Sequence, residues 1–194
     1  MNRKPDPEAV KAALRTKVRA ALAAMTPQQK AAESTDICAK IIKLDLYERA
    51  RVVLLFAPLD GEPRIEPVAK HALARGKTLL LPRVNWNERS MVGALVQDWP
   101  GDLVKDHRGL TVPRDDALVY DASSIHLVVV PGVAFSPTGV RLGRGGGFYD
   151  RYLAQIPIHH RIGVCYRCQR VDEVPLLPHD EVVSEVVFAP EARS

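Results

Sequence analysis

Nearly continuous apolar runs, separated by stretches of helical period, confine this chain to a small set of architectures. Arg51 to Ala57, Lys77 to Val84, Leu127 to Val133 and Arg161 to Tyr166 each read as a strand, with shorter candidates at Met91 to Val96 and Glu185 to Phe188. Runs without a polar face belong to strands covered on both sides, the habit of parallel sheets. Asp6 to Ala24 has helical spacing, with Pro7 in its first turn. Thr26-Pro27 caps a second predicted helix running toward Leu46, and a third, Glu66 to Arg75, ends at Gly76. Alternation of this kind predicts an α/β fold whose mainly parallel sheet is flanked by helices. Asp98 to Asp116, rich in charge and turn residues, reads as a long connection. With no repeat, low-complexity segment or linker, residues 1–194 read as a single domain.

The chemistry concentrates after Leu127 to Val133, in Gly139-Val140-Arg141-Leu142-Gly143-Arg144-Gly145-Gly146-Gly147-Phe148-Tyr149-Asp150. A helix is predicted over Phe148 to Gln155. Glycines leave backbone N–H groups uncovered, so a ligand oxygen can approach the main chain. Arg141 and Arg144 add charge that suits phosphate or carboxylate, and the helix would aim its positive end at the same place. Asp150, in the first turn, is placed to hold a phosphate-bound metal. The competing reading is a tight or mobile turn in which Asp150 merely complements the helix dipole, worth about 0.3–1 kcal/mol. Strand, glycines, arginines, aromatic pair and acid in one short segment favour phosphate binding. No Gly-Lys-Ser or Gly-Lys-Thr follows, so the loop is not a Walker A, and Gly143, Gly145 and Gly147 lack the dinucleotide spacing.

Other features narrow the partners. A net charge of +4 and a pI near 9.0 invite a nucleic-acid reading, but the basic residues are dispersed and do not alternate with aromatics. Nucleic acid is therefore not expected, and a polyanionic small molecule suits the modest excess. No apolar stretch reaches membrane-spanning length, and the start reads as neither signal nor transit peptide, so a soluble cytoplasmic protein is expected. Cys38, Cys165 and Cys168 make no disulfide framework. Cys165 and Cys168 would face opposite sides of a continued strand and read as structural thiols in a reducing compartment. His159-His160 lacks partners at metal spacing and reads as a solvated loop.

The loop and its surroundings resemble a known family. Val130-Pro131-Gly132-Val133-Ala134-Phe135, then Gly139, then Arg141 through Asp150 to Arg151, is similar to the signature of the 5-formyltetrahydrofolate cyclo-ligase (5,10-methenyltetrahydrofolate synthetase) family. Lys11-Ala12-Ala13-Leu14-Arg15, Gly61-Glu62, Gly76-Lys77, Leu81-Pro82-Arg83, Gln169, Pro175 and His179-Asp180 fall in the family's order. The matches span roughly residues 11 to 188, with the loop the most specific among them. Arg64, Val112 and Ser184 depart from the family's pattern, which bears on the folate pocket more than on the nucleotide site.

The resemblance implies a three-layer α/β fold related to the sugar-isomerase and CoA-transferase group. It also implies ATP- and Mg2+-dependent cyclisation of 5-formyltetrahydrofolate, in monoglutamyl or polyglutamylated form, to 5,10-methenyltetrahydrofolate by a monomeric enzyme of one-carbon metabolism. Lys11 and Arg15, on one helix face, would clamp the ATP phosphates. Arg141, Leu142, Gly143, Arg144, Gly145, Gly146, Gly147, Phe148 and Tyr149 would cradle the triphosphate. Arg144 and Tyr149 are the catalytic candidates. Glu62, Arg144 and Phe148 would contact folate, with Glu62 on the pterin edge, and Asp150 and Asp180 would hold magnesium. Taken without the resemblance, Lys11 and Arg15 would read as a solvated basic face. Two other classes stay open: a silent folate-binding relative, and a different enzyme of the fold group with Glu62 as nucleophile.

Overall fold

The computed structural model describes residues 6–190. Helix α1 (Pro7–Ala24) begins where Asp6 accepts from the Glu8 amide, and α2 (Pro27–Ile42) opens on a reciprocal Thr26–Gln29 capping box. The second helix stops short of Leu46. A short α3 (Asp45–Arg49) follows at a new angle. Ile41 and Tyr47 are both buried, yet a continuous helix would put them on different faces. The break lets both enter the core.

Seven strands form the main sheet: β1 (Val52–Leu54), β2 (Thr78–Asn85), β3 (Ser90–Val96), β6 (Val119–Tyr120), β7 (Leu127–Pro131), β10 (Arg161–Val164) and β11 (Glu185–Val187). Their order is β11-β10-β7-β1-β2-β3-β6. Every pairing from β11 to β2 is parallel, whereas β3 and β6 complete the edge antiparallel. The sheet is thus mostly parallel, as the apolar runs require. Alternate residues feed two cores: Val53, Leu79, Leu81, Leu127 and Val129 face α1, α2 and α4 (Glu66–Ala74). Leu54, Leu80, Val128 and Val130 face the other side, with Tyr152 and Leu153 of α5 (Phe148–Leu153). Helices therefore cover both faces. Cys165 packs in one core and Cys168 against the other, both as free thiols, which agrees with structural roles. Among the described residues no helix is long and apolar enough to cross a membrane.

Three departures from the sequence expectations shape the site. Strand β1 ends at Leu54, and after one further bond, Leu55 N to Leu80 O at 2.9 Å, the chain leaves the sheet instead of continuing to Ala57. The connection after β3 carries its own hairpin, β4 (Leu103–Lys105) against β5 (Thr111–Pro113). A second small hairpin, β8 (Ala134–Phe135) against β9 (Arg141–Leu142), intervenes between β7 and the glycines. The glycine loop is therefore launched from a hairpin, not directly from the parallel sheet.

Candidate functional site

A cleft of about 420 Å³ lies beyond the carboxyl ends of β1, β2 and β7, where open α/β sheets place their ligands. One side is the glycine loop: Arg141, Gly143, Arg144, Gly146 and Gly147, continuing into Phe148, Tyr149 and Asp150. The segment after β1 contributes Phe56, Ala57, Leu59 and Glu62. Opposite the loop stand Pro82, Val84, Trp86, Met91, Leu110 and Val112.

Glycine is required in the loop on two grounds. A Cβ on Gly143 would lie 2.9 Å from the Arg141 guanidinium, which packs under the loop backbone. Gly145 has φ +103°, and nothing lies within 4 Å of where its Cβ would be, so the tip is both left-handed and bare. Beneath it Arg141 is buried, with Nη2 donating to Asp150 Oδ1 at 2.7 Å and Nη1 to the Pro131 carbonyl at 3.5 Å. Its Nε is buried with no partner among the described residues, an orphaned donor beside the loop. Helix α5 is only six residues long, so the anion-favouring character of this place rests on the arginines and the bare backbone and not on a helix dipole. Asp150, expected in the first helical turn, is there, held by Arg141.

Glu62 and Arg144 meet across the cleft. Arg144 donates through Nε at 3.3 Å and Nη2 at 3.2 Å to Glu62 Oε1, and Nη2 also reaches the Asp60 carbonyl at 3.0 Å. The Leu59 amide donates to Glu62 Oε2 at 2.9 Å. Burial raises the Glu62 pKa above its ordinary value, even though the Leu59 amide and the arginine act the other way. Burial also pushes the Tyr149 phenol far up, with the Glu62 charge adding to the effect, so this hydroxyl stays protonated at any physiological pH. From behind, the Tyr166 hydroxyl donates to the Glu62 carbonyl at 3.1 Å and fixes the turn that carries the acid.

Lys11 and Arg15 do not form a solvated face. Lys11 is 4% exposed and pairs with Asp180 Oδ2 at 2.5 Å, while Arg15 Nε donates to the Gly143 carbonyl at 3.0 Å. Helix α1 thus docks on the loop from outside; neither residue, nor Asp180, lines the cleft itself. Asp180 also accepts from the Leu177 amide at 2.7 Å. Although burial opposes it, the Lys11 ammonium and that amide hold the Asp180 carboxyl below its usual range.

The Glu181 amide lies 3.4 Å from Asp150 Oδ1, so the Asp180–Glu181 peptide abuts Asp150. Each acid uses one oxygen for its internal cation, Asp150 Oδ1 and Asp180 Oδ2. The described residues contain no cluster of three or more His, Cys, Asp or Glu able to hold a metal by themselves. Two carboxylates beside the glycine loop would nevertheless suit a hard cation that keeps waters and takes its remaining ligands from a bound phosphate.

Of the wall facing the loop, sequence reasoning named Pro82 and Val112 but missed Trp86. Trp86 stands where β2 ends, its edge against the Phe148 ring at 5.2 Å and its Nε1 donating to Asp106 Oδ2 at 3.0 Å. The other oxygen of Asp106 accepts from the amides of Arg108 at 2.9 Å and Leu110 at 2.8 Å. Burial would raise this carboxyl, but the indole and amide donors hold it below its ordinary value. One acid thereby shapes the 106–110 turn and pins the indole. Asp-x-x-Gly at Asp106 to Gly109 is a turn signal, yet nothing local ties that turn to Trp86.

A model of the 5-formyltetrahydrofolate cyclo-ligase family matches residues 7–189. The mouse 5-formyltetrahydrofolate cyclo-ligase is 26% identical over 190 residues, covering 92% of this chain and 93% of the mouse protein. The Mycolicibacterium smegmatis enzyme of the same name is 32% identical over 148 residues, covering 71% of this chain and 73% of that one. The solved structure of Aquifex aeolicus 5,10-methenyltetrahydrofolate synthetase superposes with a TM-score of 0.81 at 26% identity, covering 95% of each chain. A second solved structure, from Mycoplasma pneumoniae, shares the fold with a TM-score of 0.75 at 20% identity, covering 93% of this chain and 99% of that one.

Proposed function

The chain belongs to the 5-formyltetrahydrofolate cyclo-ligase family, and from that premise we propose that it uses ATP to close 5-formyltetrahydrofolate to 5,10-methenyltetrahydrofolate, releasing ADP and phosphate. The formyl group is amide-like, and its oxygen is a poor leaving group. Transfer of the γ-phosphoryl to that oxygen makes it a good one. The neighbouring anilino nitrogen then attacks the formyl carbon and loses its proton, the carbon–oxygen bond breaks, and the oxygen departs within phosphate. The product ring keeps one positive charge. The protein's task is positioning and neutralising charge.

One observation carries the reading: the 3.2 Å Arg144–Glu62 pair puts a loop suited to phosphate in contact with a buried carboxylate suited to the paired N–H donors of a pterin. Glu62 accepts from the pterin edge. Arg144, half exposed, neutralises the transferring phosphoryl group once it leaves Glu62. Tyr149 donates a hydrogen bond from a phenol that burial keeps protonated, and Phe148 packs where nucleotide and folate meet. The loop from Arg141 to Gly147 wraps the triphosphate, and Lys11 and Arg15 brace it from behind. Asp150, with Asp180 behind the loop, would hold Mg2+, which when bound would offset phosphate charge.

The decisive assay mixes protein, 5-formyltetrahydrofolate, ATP and magnesium and follows near-ultraviolet absorbance, where the methenyl product absorbs. ATP-dependent growth that Asp150→Ala abolishes is the expected result. Folate binding without growth would make the chain a silent relative, and absence of both binding and growth would overturn the reading.

A further inference from the structure

Two arginines outside the cleft hold the carbonyls of the glycine loop. Arg15, on α1, donates through Nε to the Gly143 carbonyl at 3.0 Å, and Arg151, on α5, donates through Nη2 to the Gly146 carbonyl at 2.9 Å. Neither side chain lines the cleft, whereas Gly143, Arg144, Gly146 and Gly147 all do. The peptides that follow Gly143 and Gly146 are trans, since the one cis bond among the described residues is Trp99–Pro100. In a trans peptide the carbonyl and the next N–H point in opposite directions. A carbonyl turned out to an arginine therefore turns the following amide toward the other side, where the cleft is. Those amides belong to Arg144 and Gly147, and among the described residues no backbone carbonyl accepts from either.

The Arg151 tether has a second anchor. Its Nε donates at 2.7 Å to the carbonyl of Arg89, in the turn between β2 and β3. Those strands pair without a break from Leu79–Val96 to Asn85–Ser90, and Asn85 Oδ1 closes the turn by accepting from the amides of Asn87 and Glu88 at 3.1 and 3.2 Å. Arg89 has φ +51°, the one non-glycine residue in the left-handed region among those described. That conformation persists only where its surroundings hold it. A Cβ on Gly147 would lie 2.6 Å from Arg151 Nη1, so the guanidinium packs directly against the last loop glycine. Arg151 is exposed, yet it spends two donors on main-chain carbonyls from separate segments. A planar fork can satisfy two acceptors at once, which a lysine ammonium on its single stem does less well.

We propose that Arg151 is a positioning residue for the nucleotide: by tying the Gly146 carbonyl to the β2–β3 turn, it keeps the Gly147 amide aimed at the phosphates. It acts through the loop backbone and touches no reacting atom. This inference rests on the cyclo-ligase reading.

The test measures KM for ATP and for 5-formyltetrahydrofolate, and the inhibition constant of inorganic tripolyphosphate at saturating magnesium. Arg151→Met keeps an apolar stem and loses both donors. It is expected to raise the ATP and tripolyphosphate constants together about ten-fold, with the folate constant within about two-fold of wild type. Arg151→Lys separates aim from charge: the cation stays, the fork is lost, and less than about two-fold of the defect should be recovered. Arg89→Gly suits the left-handed backbone and keeps the accepting carbonyl, so it should leave all three constants within about two-fold. Full recovery by lysine would make the effect one of charge alone, and an equal rise in the folate constant would make it one of general stability. Either result, or unchanged constants in Arg151→Met, overturns the proposal and leaves the cyclo-ligase reading intact. A wild-type protein without ATP-dependent turnover sinks both.

Discussion

The two walls of the cleft are built on opposite principles. On the glycine-loop side the buried charges are matched internally before any ligand arrives: Arg141 with Asp150 and Lys11 with Asp180, at 2.7 and 2.5 Å. On the facing side Pro82, Val84, Met91, Leu110 and Val112 present apolar surface, and its one organising acid, Asp106, points its oxygens at an indole and two amides. The difference separates two jobs. A site proposed to receive phosphate must gather cations that repel one another, and buried counter-charges offset that repulsion. A site that receives flat rings needs shape, for which one pinned aromatic and short aliphatic side chains suffice.

The contrast predicts unlike costs when either wall is damaged. Lys11→Met leaves the nearly buried Asp180 carboxylate without its cation and should lose about 3–5 kcal/mol of stability in urea denaturation at neutral pH. Because the folded-state pKa of Asp180 is depressed, the stability it contributes is present above its unfolded-state pKa and lost as pH falls through the folded one. The gap between wild type and variant should therefore close in acid; a gap independent of pH would deny the pairing any electrostatic role. Arg144→Ala, at a half-exposed side chain, should spare the fold yet lower kcat about 10²–10³-fold, the scale for losing a charge-stabilising donor. A variant that changes only KM would move Arg144 from the reacting group to the binding edge.

Smaller effects belong to the folate side. Burial lifts the Glu62 pKa, so the carboxylate that the proposed reading assigns to the pterin is lost as pH falls, starting above the usual glutamate range. KM for 5-formyltetrahydrofolate should rise on acidification, and Glu62→Gln should raise it about ten-fold and flatten that pH response. If the slope survives in the variant, another group titrates. Val112→Ala, trimming a cleft-lining side chain, should raise the same KM about five-fold and leave the ATP parameters alone.

How legible each wall is in the sequence follows from the same division. Phosphate chemistry restricts residue type, so Arg141, Arg144 and the glycines stand out as a cluster, and the helix spacing of Lys11 and Arg15 already puts them on one face. What no spacing reveals is their pairing: that Lys11 is buried against Asp180, or that Arg144 rests on Glu62, depends on contacts between distant segments. The mostly parallel sheet is readable because strands buried on both sides must be apolar throughout. The β4–β5 hairpin is not, since its strands are three residues each and partly exposed, and their composition resembles a loop. Trp86 and Asp106 escape for a related reason: their significance is the bond between them, across twenty positions that include β3 and β4.

The division of labour between the walls is tested most directly by measuring KM for ATP and for 5-formyltetrahydrofolate in two variants, Arg15→Ala and Val112→Ala. Among the described residues Arg15 hydrogen-bonds to the loop side, at the Gly143 carbonyl, and Val112 lines the apolar side. The account predicts that Arg15→Ala raises the ATP constant with the folate constant unchanged, and that Val112→Ala does the reverse. If each variant shifts both constants together, the walls do not divide the ligands and the account is contradicted.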